Sequence, residues 1–335
     1  LDQEGAKIPR ESAGCRPRPC LLCDKPAMLC APGRAHPAEE LFFKAEEIIT
    51  AALRAAHARL IGKLAQESLV TEALVTPKPG LVDQANSGAH RDMSLASLMT
   101  SACALRGYFE DAALTGMRLS GDAPSCVMAS LRPLGLEAEA AMYEATGGVN
   151  AHKGAIYALG ILCAAAGRLA ENQSAVNADS LLDTAALIAA DEALALPALA
   201  EKEGGTAGLR LYAASGVTGA RGEAAAGFPA VRHTALPRLR QYLAEGHSAN
   251  DALAFTLIHL MAEVQDTNLM KRAGAGRYPE VLQEIRALLA SPPLRLSAIR
   301  RLDEQFIAEN LSPGGSADLL GAAWLIRLLE QQRFM

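Results

Sequence analysis

The chain has 335 residues, 50% of them hydrophobic and only 4% aromatic, with a net charge of −5. That length supports one large domain or two smaller ones around a substantial core. No basic stripe appears, which argues against nucleic acid as a main partner, and no window approaches the roughly 18 uninterrupted apolar residues of a membrane span.

Residues 1–38 are rich in Pro, Gly, Cys and charge and show no periodicity. The chain opens on Leu1 rather than Met, as a piece of something longer would, and its polar first residues, Leu1 to Arg10, do not read as a signal peptide. Cytoplasm is therefore the expected location. The seven cysteines are an odd count, and Cys15, Cys20, Cys23 and Cys30 crowd the start of the chain. This pattern fits thiols or metal ligands better than a disulfide framework. Cys20, Cys23, Cys30 and His36 are spaced C-x2-C-x6-C-x5-H, which offers zinc four ligands, two of them from one tight turn.

From Glu39 a helical pattern begins. Ile61, Leu64, Ala65, Ser68 and Leu69 share one face, and the pattern stops at Thr76-Pro77-Lys78-Pro79-Gly80, where two prolines and a glycine cannot continue a helix. Ser94 can cap a second helix to about Leu114. A third is expected from about Ala123 to Tyr143, broken at Pro133, and a fourth from near His152 to about Ala170. Further helical patterns cover about 179–195, 199–213, 230–245, 249–265, 278–290, 294–309 and 316–332. Nothing alternates like a strand, and Ala and Leu favour closely packed helices. The expected architecture is a single all-α domain over 39–335, preceded by a separate segment, 1–38.

The helices are bland; the chemistry collects between them. Five segments combine helix breakers with charged or amide side chains: Thr76 to Met93, Gly147 to Gly154, Ser215 to Pro229, Asp266 to Gly274 and Asn310 to Asp318. Glycines let backbone approach a ligand, and a loop feeding a helix start presents free N–H groups to an anion. Lys153 and Arg221 lie in such Gly-flanked settings, as suits a phosphate cradle. No G-x-x-x-x-G-K-[ST] motif occurs, so ATP is not held by a P-loop.

Taken in order, the five segments, among them T-P-K-P-G-L-V-D with N-x-G-A-H-x-D-M, G-G-V-N-A-H-K-G and N-L-S-P-G-G-S-A-D, resemble the motifs of triphosphoribosyl-dephospho-CoA synthases. The resemblance covers about residues 60 to 332. It departs at Ala151, where Thr is expected, and at Lys271-Arg272-Ala273-Gly274, where Arg-Gly-Gly is usual. Cys20 to Leu41 also resembles the tail of the companion transferase that attaches the finished prosthetic group to the citrate lyase acyl carrier protein. Residues 1–38 would then be the remnant of a fused transferase, and the product would be destined for citrate lyase rather than malonate decarboxylase.

The resemblance implies a pentosyl transfer. A ribose hydroxyl of dephospho-CoA attacks C1 of the ATP ribose, and adenine leaves through an oxocarbenium-like transition state. ATP and dephospho-CoA are then the substrates, with Mg2+ on the triphosphate. Lys78, Lys153, Arg221 and Arg272 are the expected phosphate ligands. Asp83, Asp92, Glu223 and Asp266 form the pool for base and metal, with Asp92 and Asp266 foremost. His90 and His152 are candidate donors to a phosphate or to the leaving base, and Asn86, Asn150 and Asn268 candidate readers of adenine or ribose. Two rival readings are an all-α nucleotide N-glycosidase that uses water, and a non-catalytic helical partner of the citrate lyase assembly.

Overall fold

A computed structural model describes Ser12 and residues 14–200, 212–214 and 216–334. The chain divides into two units, Leu1–Ala56 and His57–Met335. Its helices are α1 (Ala27–Cys30), α2 (Ala38–Leu74), α3 (Leu95–Arg118), α4 (Pro124–Thr146), α5 (Lys153–Glu171), α6 (Ala178–Leu194), α7 (Leu196–Ala200), α8 (Gly219–Ala225), α9 (Leu236–Ala244), α10 (Ala249–Glu263), α11 (Thr267–Leu289), α12 (Leu296–Ala308) and α13 (Gly314–Glu330). A π-helical turn, Val231–Ala235, leads into α9. Among the described residues there is no strand or sheet, so the chain is all-α; one isolated antiparallel bridge joins Pro19 and Pro26.

In the first unit that bridge closes a tight turn. Cys20 N–H donates to the Lys25 carbonyl at 2.8 Å, and Ala27 N–H to that of Arg18 at 2.8 Å. Cys30 is the one buried side chain among the described residues of this unit. Such a segment buries too little apolar surface to form a core of its own.

The second unit is built on the crossing of α3 and α5. Glycines make it close: a Cβ on Gly116 would overlap the Ala164 carbonyl, and one on Gly167 that of Ala113. Backbone meets backbone at both points, which small residues permit and larger ones would block. α5 is long and apolar enough to cross a membrane, but most of it is buried inside this unit. Around the pair pack α4, α6 and α13, and α10 packs on α13. The stripe on α2 expected to face inward does so: Ile61, Leu64, Ala65, Ser68 and Leu69 are all buried.

Several ends fall where local chemistry puts them. Ser94 caps α3 in a capping box with Ser97, and α2 stops two residues before Thr76. Two expectations need correction. α4 runs unbroken through Pro133, because that residue and Ala129, whose carbonyl loses its donor, both face solvent. The helix expected from 278 begins at Thr267, because the Asp266 carboxylate accepts from the N–H groups of Asn268 and Leu269 and caps it; Gly274, at φ 70° and ψ 170°, kinks it. The pattern expected over 199–213 lies mostly outside the described residues.

Candidate active site

The segment after α2 folds back beneath a cavity. Lys78 turns inward, 1% exposed, and its Nζ donates to Glu72 Oε1 at 2.6 Å and to the Glu72 carbonyl at 2.8 Å. Asp83, also buried, accepts from the N–H groups of Lys78, Ala85 and Asn86, so it ties the turn together from within. Asn86 donates to Asp303 on α12 at 3.0 Å, and Gly80 N–H donates to the same carboxylate at 2.9 Å. Gly80 has φ +67°, and a Cβ there would overlap the Leu311 carbonyl. Glycine is required both for the turn and for this approach to the segment ahead of α13.

The start of α5 forms one wall. His152 is buried, and its Nδ1 lies 2.8 Å from Ser101 Oγ while Nε2 has no protein partner. Burial and the nearby Lys78 cation push its pKa down to about 3, so the ring is neutral at physiological pH. Lys153 N–H donates to the Asn150 side chain at 3.3 Å, and its Nζ reaches Glu139 at 2.6 Å.

The starts of α11 and α13 form the opposite wall. Asp266, 1% exposed, accepts from Asn268 and Leu269 N–H and also from Ser316 N–H at 2.7 Å and Ser316 Oγ at 3.0 Å. One carboxylate thus joins both helix starts. Burial holds it above the usual carboxylate range, against the pull of these donors. Arg272 donates to the Ala89 carbonyl at 3.1 Å and to Asn310 Oδ1 at 2.9 Å, and stands 3.4 Å from His90 Nδ1. His90 Nε2 lies 2.9 Å from Ser312 Oγ, and burial with the Arg272 charge lowers its pKa.

These walls enclose a cavity of about 410 Å³ lined by Lys78, His90, Asp92, Asn150, His152, Lys153, Asn268 and Arg272. Glu72, Lys271, Ser312, Gly314 and Asp318 line it as well. Four of the five segments singled out in the sequence therefore meet in one place. Asp83, Asn86 and Asp266 stand outside the lining and hold its segments together. Arg221 and Glu223, from the remaining segment, are on α8, away from this lining: Arg221 lies 3.6 Å from Glu192, which also takes Arg132 at 2.7 Å. Glu223 accepts from Ala230 N–H, and burial raises its pKa. Glu72 had no local signal, since it sits within the helical pattern of α2, in the last turn. Asp318 and Ser312 stood within a recognised motif without a role, and Lys271 within a noted departure.

Cations Lys78, Lys153, Lys271 and Arg272 outnumber the carboxylates Glu72, Asp92 and Asp318 in the lining. Pro313, ahead of α13, offers that helix no side-chain cap, and Asp266 takes the Ser316 N–H. Gly314, the first residue of α13, lies at the lining, and a helix start there favours an anion. In the first unit, the ligand atoms of Cys20, Cys23, Cys30 and His36 all lie within 4.8 Å of one another.

Residues 58–334 match the family model described as ATP:dephospho-CoA triphosphoribosyl transferase. Residues 1–52 match the one described as apo-citrate lyase phosphoribosyl-dephospho-CoA transferase. A probable 2-(5''-triphosphoribosyl)-3'-dephosphocoenzyme-A synthase of Vibrio cholerae serotype O1 is 42% identical over 281 residues, covering 82% of this chain and 89% of the relative. The synthase of Pectobacterium atrosepticum is 44% identical over 260 residues, 77% of this chain and 85% of its own. That of Klebsiella pneumoniae is 40% identical over 286 residues, 84% and 90% respectively. No solved structure matches.

Proposed function

Because the chain belongs to the ATP:dephospho-CoA triphosphoribosyl transferase family, we propose that the cavity between the starts of α5, α11 and α13 is its active site. The enzyme transfers the triphosphoribosyl group of ATP to 3'-dephospho-CoA and releases adenine. The product is the precursor of the citrate lyase acyl-carrier prosthetic group. The observation that carries the location is the gathering of four cationic side chains and the start of α13 around carboxylates in one cavity. A glycosyl transfer from a polyphosphate needs both kinds of group together.

In this reading Lys153, Lys271, Arg272 and the Gly314–Gly315 backbone hold the triphosphate. Lys78 is committed to Glu72 and acts as a buried positive charge beneath it. Asp92, exposed at the cavity, takes the proton from the attacking hydroxyl. Asp266, saturated by its donors, aligns the two helix starts. Asn150 and Asn268 read ribose or adenine, and the unpartnered Nε2 of His152 meets the substrate. Mg2+ enters on the triphosphate, whose oxygens are the kind of ligand it prefers. Incubating the protein with ATP, Mg2+ and dephospho-CoA and weighing the products tests the reaction. The added triphosphoribosyl mass and free adenine are expected; adenine formed without dephospho-CoA would indicate a hydrolase instead.

The N-terminal unit supports a second assignment, a structural zinc ion on Cys20, Cys23, Cys30 and His36. Cys23 and Cys30 sulfurs stand 3.5 Å apart, near the roughly 3.8 Å that two thiolates span on one tetrahedral zinc. His36 Nε2 is buried with no protein partner. The ion would bring together a segment that has no apolar core. We assign this segment to the end of a transferase fused ahead of the synthase, which ties the product to citrate lyase.

A further inference from the structure

We propose that Asp318 is the proton donor to the departing adenine, an inference that rests on the reaction assigned to this cavity. Asp318 lies on the second turn of α13, just past the glycines that open that helix. Of the cavity's three carboxylates, Glu72 is paired with Lys78 and Asp92 is exposed. Asp318 has no cationic partner among the described residues; it takes the N–H of Ala155 and faces the like charges of Glu72 and Asp266.

A second observation concerns Gly154. A Cβ at that position would overlap Asp318 Oδ2, so the first turn of α5 carries glycine where it passes this carboxyl. The missing side chain leaves Asp318 room at the junction of α5 and α13, on the cavity wall. Burial, with Glu72 and Asp266 nearby, holds Asp318 well above the usual carboxylate range. The same surroundings favour its protonated form, the form a proton donor needs. His152 does not compete for the role: its ring is neutral, and giving up its one proton would leave an imidazolate.

The step balances. The C1–N9 bond of ATP breaks with its electron pair moving into the purine. The Asp318 proton goes to a purine ring nitrogen, so adenine leaves neutral. A lone pair of the dephospho-CoA hydroxyl forms the new C1–O bond, and its proton passes to Asp92. Asp318 ends ionised and Asp92 protonated, and both reset by exchange with water.

The test compares wild type with Asp318→Asn in the ATP and dephospho-CoA assay across pH. The charged groups acting on Asp318 are Glu72, with its partner Lys78, and Asp266, and His152 and Lys153 at the start of α5 line the same cavity. Wild-type kcat should fall as pH rises through the Asp318 pKa. In Asp318→Asn, kcat should drop about 100-fold or more, that alkaline limb should vanish, and KM for ATP should stay nearly unchanged. A folded Asp318→Asn that keeps the limb and the rate overturns the proposal. If this variant does not fold, Gly154→Ala and Asp318→Glu decide. Both keep an acid but displace it, so a lowered kcat with a shifted limb supports the role and an unmoved profile overturns it. A wild-type enzyme that forms no triphosphoribosyl product would sink the reaction itself, an outcome distinct from these.

Discussion

Lys78 and Glu72 form a 2.6 Å ion pair whose side chains are 1% and 9% exposed. Removing one member leaves a charge buried without its partner. Lys78→Met should therefore cost roughly 3–5 kcal/mol of folding stability in a urea titration, and Lys78→Met with Glu72→Gln should recover much of it. A single variant as stable as wild type would show that water reaches Glu72.

Lys271 is exposed, lines the cavity and makes no ion pair among the described residues. Arg272 beside it is bonded to Ala89 and Asn310 and braces two segments. Lys271→Ala should raise KM for ATP about tenfold, with weaker salt dependence of binding and an unchanged Tm. Arg272→Ala should raise KM and lower Tm together. Steady-state kinetics and thermal melts separate the two.

His152 is buried neutral, its pKa lowered to about 3. The unfolded chain then binds the extra proton first, so stability is lost as pH falls below the ordinary imidazole value, near 6.5, down toward 3. The contribution is about 1.4 kcal/mol per pH unit in that window. Carboxylates raised by burial, Asp266 and Asp318 among them, act in the opposite sense. The difference between wild type and His152→Gln isolates the histidine: the variant should lose less stability between pH 6 and 4 in denaturant titrations.

Zinc should copurify at one equivalent per chain and be lost in Cys20→Ser. Chelation should expose the first unit to limited proteolysis within residues 14–56 while leaving triphosphoribosyl transfer intact. Loss of transfer on chelation would instead tie the metal to catalysis.

Local chemistry alone determined much of this protein. Apolar spacing on α2, the Ser94 cap and the prolines and glycines after Leu74 act within a few residues, so helix existence and most ends were readable. The Cys/His spacing was readable too, because one short turn brings its ligands together. The gathering of Lys78, His90, Asp92, His152, Lys153 and Arg272 was legible only as motifs. What the motifs could not convey is which side chains end up committed to one another. Asp83 and Asp266 look like free carboxylates in the sequence, but folding surrounds each with backbone donors. Arg221 looks like a lone cation in the sequence, but folding sets it 3.6 Å from Glu192. Asp318 acquires its environment only when α13 docks on Gly154 and two other carboxylates come near. Desolvation and pairing arise between distant segments, so the tertiary structure alone decided which groups are spent on the scaffold and which remain for the substrate.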